Sequence, residues 1–194
     1  MSPSPTTHSP ARRAALGLAG AAVMLLAGCA VTALPGQSLS VPADARFAVL
    51  PLANATDVPL VERRAQAITV SLLQQKGLRE VVVYPQKSTD NPLEAEPAVT
   101  AAQALAWAKQ QGARYALSGT VTEWRYKTGV DSEPAVGITL QVTDVPTGQV
   151  VWSASGGRSG WGYQALAAVG QSQIESLLRG IRVTTSVEKP AAKP

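Results

Sequence analysis

Apolar residues between positions 46 and 182 recur at two spacings, one typical of strands and one of helices. Residues 47–52 and 80–84 are short apolar or β-branched runs, which predict buried strands. Each run is followed by a segment with apolar side chains three and four residues apart, at 59–76 and 99–111, which predicts two helices. Pro59, Gly77 and Gly112 suit the helix ends. The inward-facing positions are Val61, Ala65, Ile68 and Leu72 in the first helix, and Ala101, Ala104, Leu105 and Ala108 in the second.

The second half of this region predicts three consecutive strands and a last helix. Residues 115–127 alternate as one long strand, and 138–145 and 149–155 flank a Pro146-Thr147-Gly148 turn as a hairpin. Residues 164–180 are amphipathic with helical spacing. The order β-α-β-α-β-β-β-α predicts an α/β fold, a single domain in which a mixed β-sheet is covered by helices. Trp124 and Trp152 are expected in the core, Trp107 in the core or at a subunit interface, and Asp144 as an acceptor that stabilises the turn.

The chain outside this region has a different composition. Arg12 and Arg13 precede a short apolar stretch that ends in Leu26-Ala27-Gly28-Cys29, the layout of a cleaved secretory signal. The alternative, a single membrane-spanning anchor, needs about 20 apolar residues, more than this stretch contains. We therefore predict a signal peptide over 1–28, a lipidated Cys29 with a flexible tether over 29–45, the folded domain over 46–182 and a disordered tail over 183–194.

The leader resembles the bacterial lipobox, in which the cysteine becomes the acylated first residue of the mature protein. Two or more acyl chains make a stable membrane anchor, because each buried methylene contributes about 0.8 kcal/mol. By the same resemblance, Ala30 in place of an aspartate favours the outer membrane over the inner membrane. The expected location is therefore the periplasmic face of the outer membrane, with membrane lipid as a partner.

Composition excludes several kinds of chemistry. The formal net charge is +4, but removal of Arg12 and Arg13 leaves 15 basic against 13 acidic residues. No basic run with interleaved aromatics is present, so a nucleic-acid surface is not expected. His8 lies in the leader and Cys29 is the sole cysteine, so the mature chain lacks Ser-His-Asp, Cys-His and Cys/His-zinc chemistry. We predict that the protein is not an enzyme and holds no cofactor or metal.

Trp161 lies between Gly160 and Gly162 in a glycine-rich segment, residues 156–162, that predicts a loop. Flanking glycines provide little packing, so the indole is expected to be exposed, and indoles favour the membrane interface. The alternative is a tryptophan folded back over the sheet. The residues alone leave both interpretations of Trp161 open.

Asp131 and Glu133 lie two residues apart in the connection that follows the long strand. They are a solvated loop pair, or part of an acidic functional surface or a subunit contact, with Arg114, Arg125 or Lys127 as ionic partners of such a contact. A glycosidase acid and nucleophile would need carboxyl groups about 5 to 9 Å apart across a sugar cleft, and nothing in the loop indicates a cleft.

Several segments together resemble the PelC family, outer-membrane lipoproteins of Pel exopolysaccharide export. These are FAVLPLANAT, ALAWAKQQGARYALSGTVTEWRYKTGVDSEPAVGITLQV and VVWSASGGRSGWGYQAL, so the resemblance covers nearly the whole predicted domain. It implies a homo-oligomeric ring beneath the outer membrane that works with a β-barrel exporter. It also favours a membrane contact at Trp161, which we predict, and a polymer-facing surface that includes Asp131 and Glu133. The exopolysaccharide is cationic, and an acidic ring surface would guide it by field effects without bond-making. The chain is more distantly similar to a wider group that includes CsgG, LpoB and the N-terminal domain of TolB.

Two rival functions come from the wider group. An LpoB-like regulatory lipoprotein would bind a peptidoglycan synthase, but such proteins tend to carry a long disordered tether. The 16 or so residues here would reach roughly 50 Å. A CsgG-like pore would need inserted strands of about 9 to 11 alternating residues, and the TGVDSEP connection is too short and polar.

Overall fold

The computed structural model describes residues 31–35, 38–86, 99–129 and 132–185. These residues all belong to one compact unit that begins at Val31. They form eight strands and three helices: β1 Val31–Pro35, β2 Leu39–Pro42, β3 Phe47–Asn54, α1 Val61–Gln75, β4 Val81–Val83, α2 Ala101–Gln110, β5 Tyr115–Tyr126, β6 Pro134–Asp144, β7 Gln149–Ser159, α3 Leu166–Leu178 and β8 Ile181–Thr184. From β3 to α3 the order is the predicted β-α-β-α-β-β-β-α, so the predicted fold class is confirmed.

The main sheet has six strands in the order β1-β7-β6-β5-β3-β4. β3 is parallel to β4 and to β5, because α1 and α2 provide the crossovers that parallel strands need. β5, β6 and β7 form an antiparallel meander, and β1 pairs antiparallel with the outer edge of β7. The sheet is therefore mixed, as predicted.

The tight turn between β6 and β7 is stabilised by Asp144. Its Oδ1 accepts hydrogen bonds from the Thr147 backbone N–H at 3.1 Å and from the Thr147 hydroxyl at 3.0 Å. Gly148 has φ +71°, a conformation that glycine adopts without steric cost. The predicted role of Asp144 as a turn acceptor is confirmed.

The larger part of the core lies on the face of the sheet that is covered by α1 and α3. Trp124 and Trp152 are both buried there, as predicted. Val121 and Trp124 share this face although strict alternation would separate residues three apart. The register shift between Val121 and Glu123, a β-bulge, turns the Trp124 indole toward α3.

The opposite face of the sheet is covered by α2 at one end only. Ala104 and Ala108 of α2 pack on Ala48 and Ala116, and Trp107 is half-buried with its ring 5.1 Å from that of Tyr84. The remainder of this face carries hydroxyl and amide side chains on β5, β6 and β7. Some of them pair across the strands, as in Thr139–Ser155 at 2.8 Å and Gln141–Ser118 at 3.1 Å.

The structure corrects the predicted ends of the domain. Leu39–Pro42, predicted as tether, pairs in parallel with Ile181–Thr184, and the last two residues of that strand were predicted as tail. β1 also lies in the predicted tether. These strands have four or five residues and no visible alternation, so their pairing depends on tertiary contacts, such as those that bury Val41 and Ile181 completely. Residues 186–194 of the predicted tail lie outside the described residues.

The glycine-rich segment was also predicted wrongly in part. Residues 156–159 continue β7 and are not a loop, with Gly157 opposite Gly137 of β6. Glycine is unfavourable in strands, so the segment gave no strand signal. Hydrogen bonding of β7 to β1 on one side and to β6 on the other outweighs the low strand propensity of glycine.

Candidate functional site

Three exposed aromatic side chains lie together where the meander ends, and we call Tyr126, Trp161 and Tyr163 the aromatic end. The Trp161 side chain is 73% exposed and Tyr163 is 106% exposed, whereas Tyr126 is 48% exposed. A cluster of large apolar side chains with this much exposure indicates an interaction site. Trp161 is thus exposed and is not folded over the sheet.

Backbone and side-chain hydrogen bonds hold the loop that carries Trp161. The Gly160 N–H donates to the Pro134 carbonyl at 2.8 Å, and the Trp161 N–H donates to the Gln164 side chain at 3.0 Å. The Tyr126 hydroxyl accepts the N–H of Leu166 at 3.1 Å, at the start of α3. A Cβ at position 160 would collide with Gln164 and come within 2.9 Å of Pro134, so only glycine fits there. The indole is presented by a fixed loop.

The charged residues predicted as site candidates lie at opposite ends of β5. Lys127 joins the two sides of the β5–β6 connection: its N–H donates to the Glu133 carbonyl at 2.8 Å and its Nζ donates to the Ser159 hydroxyl at 2.7 Å. Arg125 pairs with Glu123 at 3.2 Å on the same strand. Asp131 lies outside the described residues.

Arg114 is separated from this group by the length of β5, roughly 40 Å at about 3.3 Å per residue. Its guanidinium pairs with Asp144 at 2.6 Å and lies 5.5 Å from the centre of the Tyr115 ring. Within one protomer, Arg114 therefore cannot be an ionic partner of Glu133. Arg125 and Lys127 lie at the end of β5 that is next to Glu133.

A cavity of about 650 Å³ opens on the polar face of the sheet, beside Arg125. Asp57 and Glu123 bring carboxylates to it, and Thr122 and Ser155 bring hydroxyls. The Glu123 carboxylate is already engaged by Arg125. The residues that the structure describes contain no group of three or more His, Cys, Asp or Glu side chains able to hold a metal ion. The cavity therefore offers hydrogen-bonding groups and a charge lining of two carboxylates and one guanidinium, Asp57, Glu123 and Arg125.

The N-terminal strand enters the domain at the aromatic end. Val31 of β1 lies opposite Arg158 of β7, three residues before Trp161. No helix in the described ranges is long and apolar enough to cross a membrane. Cys29, the predicted lipidation site, lies outside the described residues.

Sequence reasoning missed Tyr126, Tyr163 and β1 as parts of this surface. Tyr126 ends a strand whose alternation predicted only sheet packing, and Tyr163 follows Gly162 in the same glycine-rich context that drew attention to Trp161. That context was a usable signal for Tyr163. The convergence of Tyr126 with the 160–165 loop depends on the register of β5, β6 and β7 and was not visible in the sequence.

The fold belongs to the class of LpoB-like α/β domains. The family model described as the peptidoglycan-synthase activator LpoB matches residues 53–156, a little over half of the chain. No curated protein matches the chain significantly.

Solved structures narrow the class to one family. A PelC dodecamer from Paraburkholderia phytofirmans is 36% identical, with a TM-score of 0.68 over 79% of this chain and 99% of that one. A second crystal form of a single-residue variant gives a TM-score of 0.69 with the same identity and coverage. The lipoprotein GNA1162 from Neisseria meningitidis is 17% identical, with a TM-score of 0.46 over 70% of this chain and 96% of its own. The chain therefore belongs to the PelC family, within the wider LpoB-like group.

Proposed function

We propose that the protein is a non-enzymatic lipoprotein of Pel exopolysaccharide export, anchored to the periplasmic face of the outer membrane through Cys29. The observation that carries the proposal is the 36% identity to PelC across 79% of the chain. The lipobox-like sequence Leu26-Ala27-Gly28-Cys29 supports lipid attachment, and Ala30 supports sorting to the outer membrane. The protein acts by shape and charge and makes or breaks no covalent bonds.

The aromatic end is the surface that faces the lipid. Indole and phenol side chains suit the membrane interface, because each combines an apolar ring with a polar hydrogen-bonding group. Trp161 and Tyr163 are the most exposed of the three side chains. The position of Val31 beside Arg158 supports this orientation, since the chain leads from the lipid-bearing region into that end of the sheet.

The protein assembles into a homo-oligomer, which the PelC dodecamers support, and we expect this oligomer to be a closed ring. Rotational symmetry would repeat one set of charged groups around a central opening. The mature chain carries nearly balanced charge, so the guiding of a cationic polymer toward a β-barrel exporter requires acidic groups concentrated on one surface. Asp131 and Glu133 are our candidates for that surface, and Arg114, Arg125 and Lys127 are candidates for subunit contacts.

We expect the mature protein without its lipid, beginning at Ala30, to form a closed oligomer in solution. Light scattering coupled to size-exclusion chromatography measures the mass directly. A mass that stays at one integer multiple of the monomer over a wide concentration range supports a ring, because closed symmetry stops growth at a fixed number. A monomer at high concentration, or a mass that grows with concentration, would contradict it.

An LpoB-like activator of a peptidoglycan synthase is the second candidate, favoured by the family-model match over residues 53–156. Against it, β1 begins at Val31, so that one residue separates Cys29 from the first strand of the domain. The predicted reach of roughly 50 Å is thus much shortened. A domain held this close to the lipid suits work at the membrane. A monomeric protein that binds the synthase domains of its own bacterium would favour the activator instead.

A further inference from the structure

Strand β1 connects the region of the lipidated residue to the edge of the main sheet. It is the outermost strand and pairs antiparallel with β7 from Val31, opposite Arg158, to Pro35, opposite Ala154. All five residues of β1 therefore have a partner in β7. Pairing fixes the orientation of this N-terminal segment relative to the sheet, whereas a flexible tether would sample many orientations.

The chain distances on both sides of this pairing are short. Residue 29 precedes Val31 by two residues, at most about 7 Å of extended chain, and Trp161 follows Arg158 by three, at most roughly 11 Å. Neighbouring strands lie about 4.8 Å apart. Whatever is attached at residue 29 is thus joined by short connections to the end of the sheet that carries Trp161 and Tyr163.

We propose that β1 is a rigid connector that orients the domain on the lipid surface, and that Tyr163 contacts lipid beside Trp161. This inference rests on the proposed lipidation of Cys29. Pairing with β7 removes the orientational freedom of the N-terminal segment during folding, so that membrane docking does not have to remove it again. The aromatic end then meets the headgroup region as soon as the acyl chains insert.

Lipid is the occupant that the geometry favours for this surface. The first described strand begins beside the aromatic end, two residues after Cys29, and the side chains of that end are of the kinds enriched at membrane interfaces. The 160–165 loop is held by the Gly160–Pro134, Trp161–Gln164 and Leu166–Tyr126 hydrogen bonds. These hydrogen bonds hold the loop at both of its ends, and the Trp161 and Tyr163 side chains between them are exposed.

The test uses the full lipidated protein in vesicles of phosphatidylethanolamine and phosphatidylglycerol, with a nitroxide label on Tyr163→Cys. Cys29 is the only native cysteine and is blocked by acylation, so one label is attached. Collision with oxygen, which enriches in lipid, is compared with collision with a water-soluble nickel chelate. We expect the label at position 163 to report lipid. A label on Gln149→Cys, at the other end of β7, is expected to report water.

Two matched insertions isolate the role of β1. A Gly-Ser linker of about 12 residues, with an end-to-end distance of roughly 20 Å, is placed either between Ala30 and Val31 or between Gly36 and Gln37. The first separates the lipid from β1. It is expected to shift the collision rates of the label at position 163 toward those of the label at position 149. The second leaves β1 next to the lipid and is expected to leave the lipid signal unchanged.

The outcomes separate this inference from the proposed function. If both insertions change the signal equally, or neither does, β1 is not the orienting element, although the membrane contact stands. If the label at 163 reports water without any insertion, the membrane contact of the aromatic end fails, and the inference fails with it.

Discussion

Replacement of Cys29 by serine is expected to remove the protein from the outer membrane. Serine has no thiol to receive a lipid, so both the acyl anchor and the processing that depends on it are lost. A single acyl chain binds a bilayer only marginally and reversibly, and stable attachment takes two signals. The aromatic end alone is therefore not expected to retain the domain. Fractionation of cell envelopes measures the distribution, and we expect most of the variant outside the outer-membrane fraction.

Trp161→Ala is the matched comparison for this experiment, because it removes an aromatic side chain and keeps the lipid. We expect it to stay in the outer-membrane fraction while its export activity falls. If Cys29→Ser stayed fully in the outer membrane, lipid attachment at this residue would not be the anchor. If Trp161→Ala kept full assembly and export, the membrane contact at Trp161 would not be required for function.

Trp124→Ala is expected to destabilise the domain strongly, because the indole is part of the buried core. Trp124 is buried between β5 and α3, and α3 places Gly170 directly against its ring, so that a Cβ there would collide with the indole. Truncation of a buried tryptophan leaves a large cavity and costs about 3 to 5 kcal/mol. Because domains are stable by only about 5 to 15 kcal/mol, we expect Tm to fall by roughly 10 °C or more.

The control for this prediction is again a tryptophan in the same chain. Trp161 is 73% exposed and outside the core, so Trp161→Ala is expected to change the free energy of unfolding by less than about 0.5 kcal/mol. Urea unfolding of the lipid-free protein, followed by circular dichroism, measures both. Equal losses for the two variants would contradict the placement of Trp124 in the core and of Trp161 at the surface.

The sequence predicted the central elements because their burial is periodic. α1 and α3 each place one apolar stripe against the sheet, and the Pro-Thr-Gly turn identifies the β6–β7 hairpin without tertiary information. The marginal strands could not be predicted in this way. β1, β2 and β8 are four or five residues long, and their pairing joins segments that are far apart in the sequence.

The candidate site was only partly visible in the sequence. Trp161 could be singled out because glycines on both sides leave an indole with little to pack on. The three-dimensional surroundings of Trp161 could not be predicted, since the β5–β6 register brings Tyr126 to the same loop and the β1–β7 register places Val31 opposite Arg158, three residues before Trp161. Arg114 looked equivalent to Arg125 and Lys127 in the sequence, but the length of β5 separates it from them.

The central claim is that this protein serves Pel polysaccharide export from the outer membrane, and export itself is the direct measurement. The gene is deleted in the source bacterium, and the amino-sugar polymer is quantified outside the cells and inside the envelope. We predict that the deletion abolishes the extracellular polymer, that the wild-type chain restores it and that the Cys29→Ser variant does not. Normal extracellular polymer in the deletion strain would contradict the account.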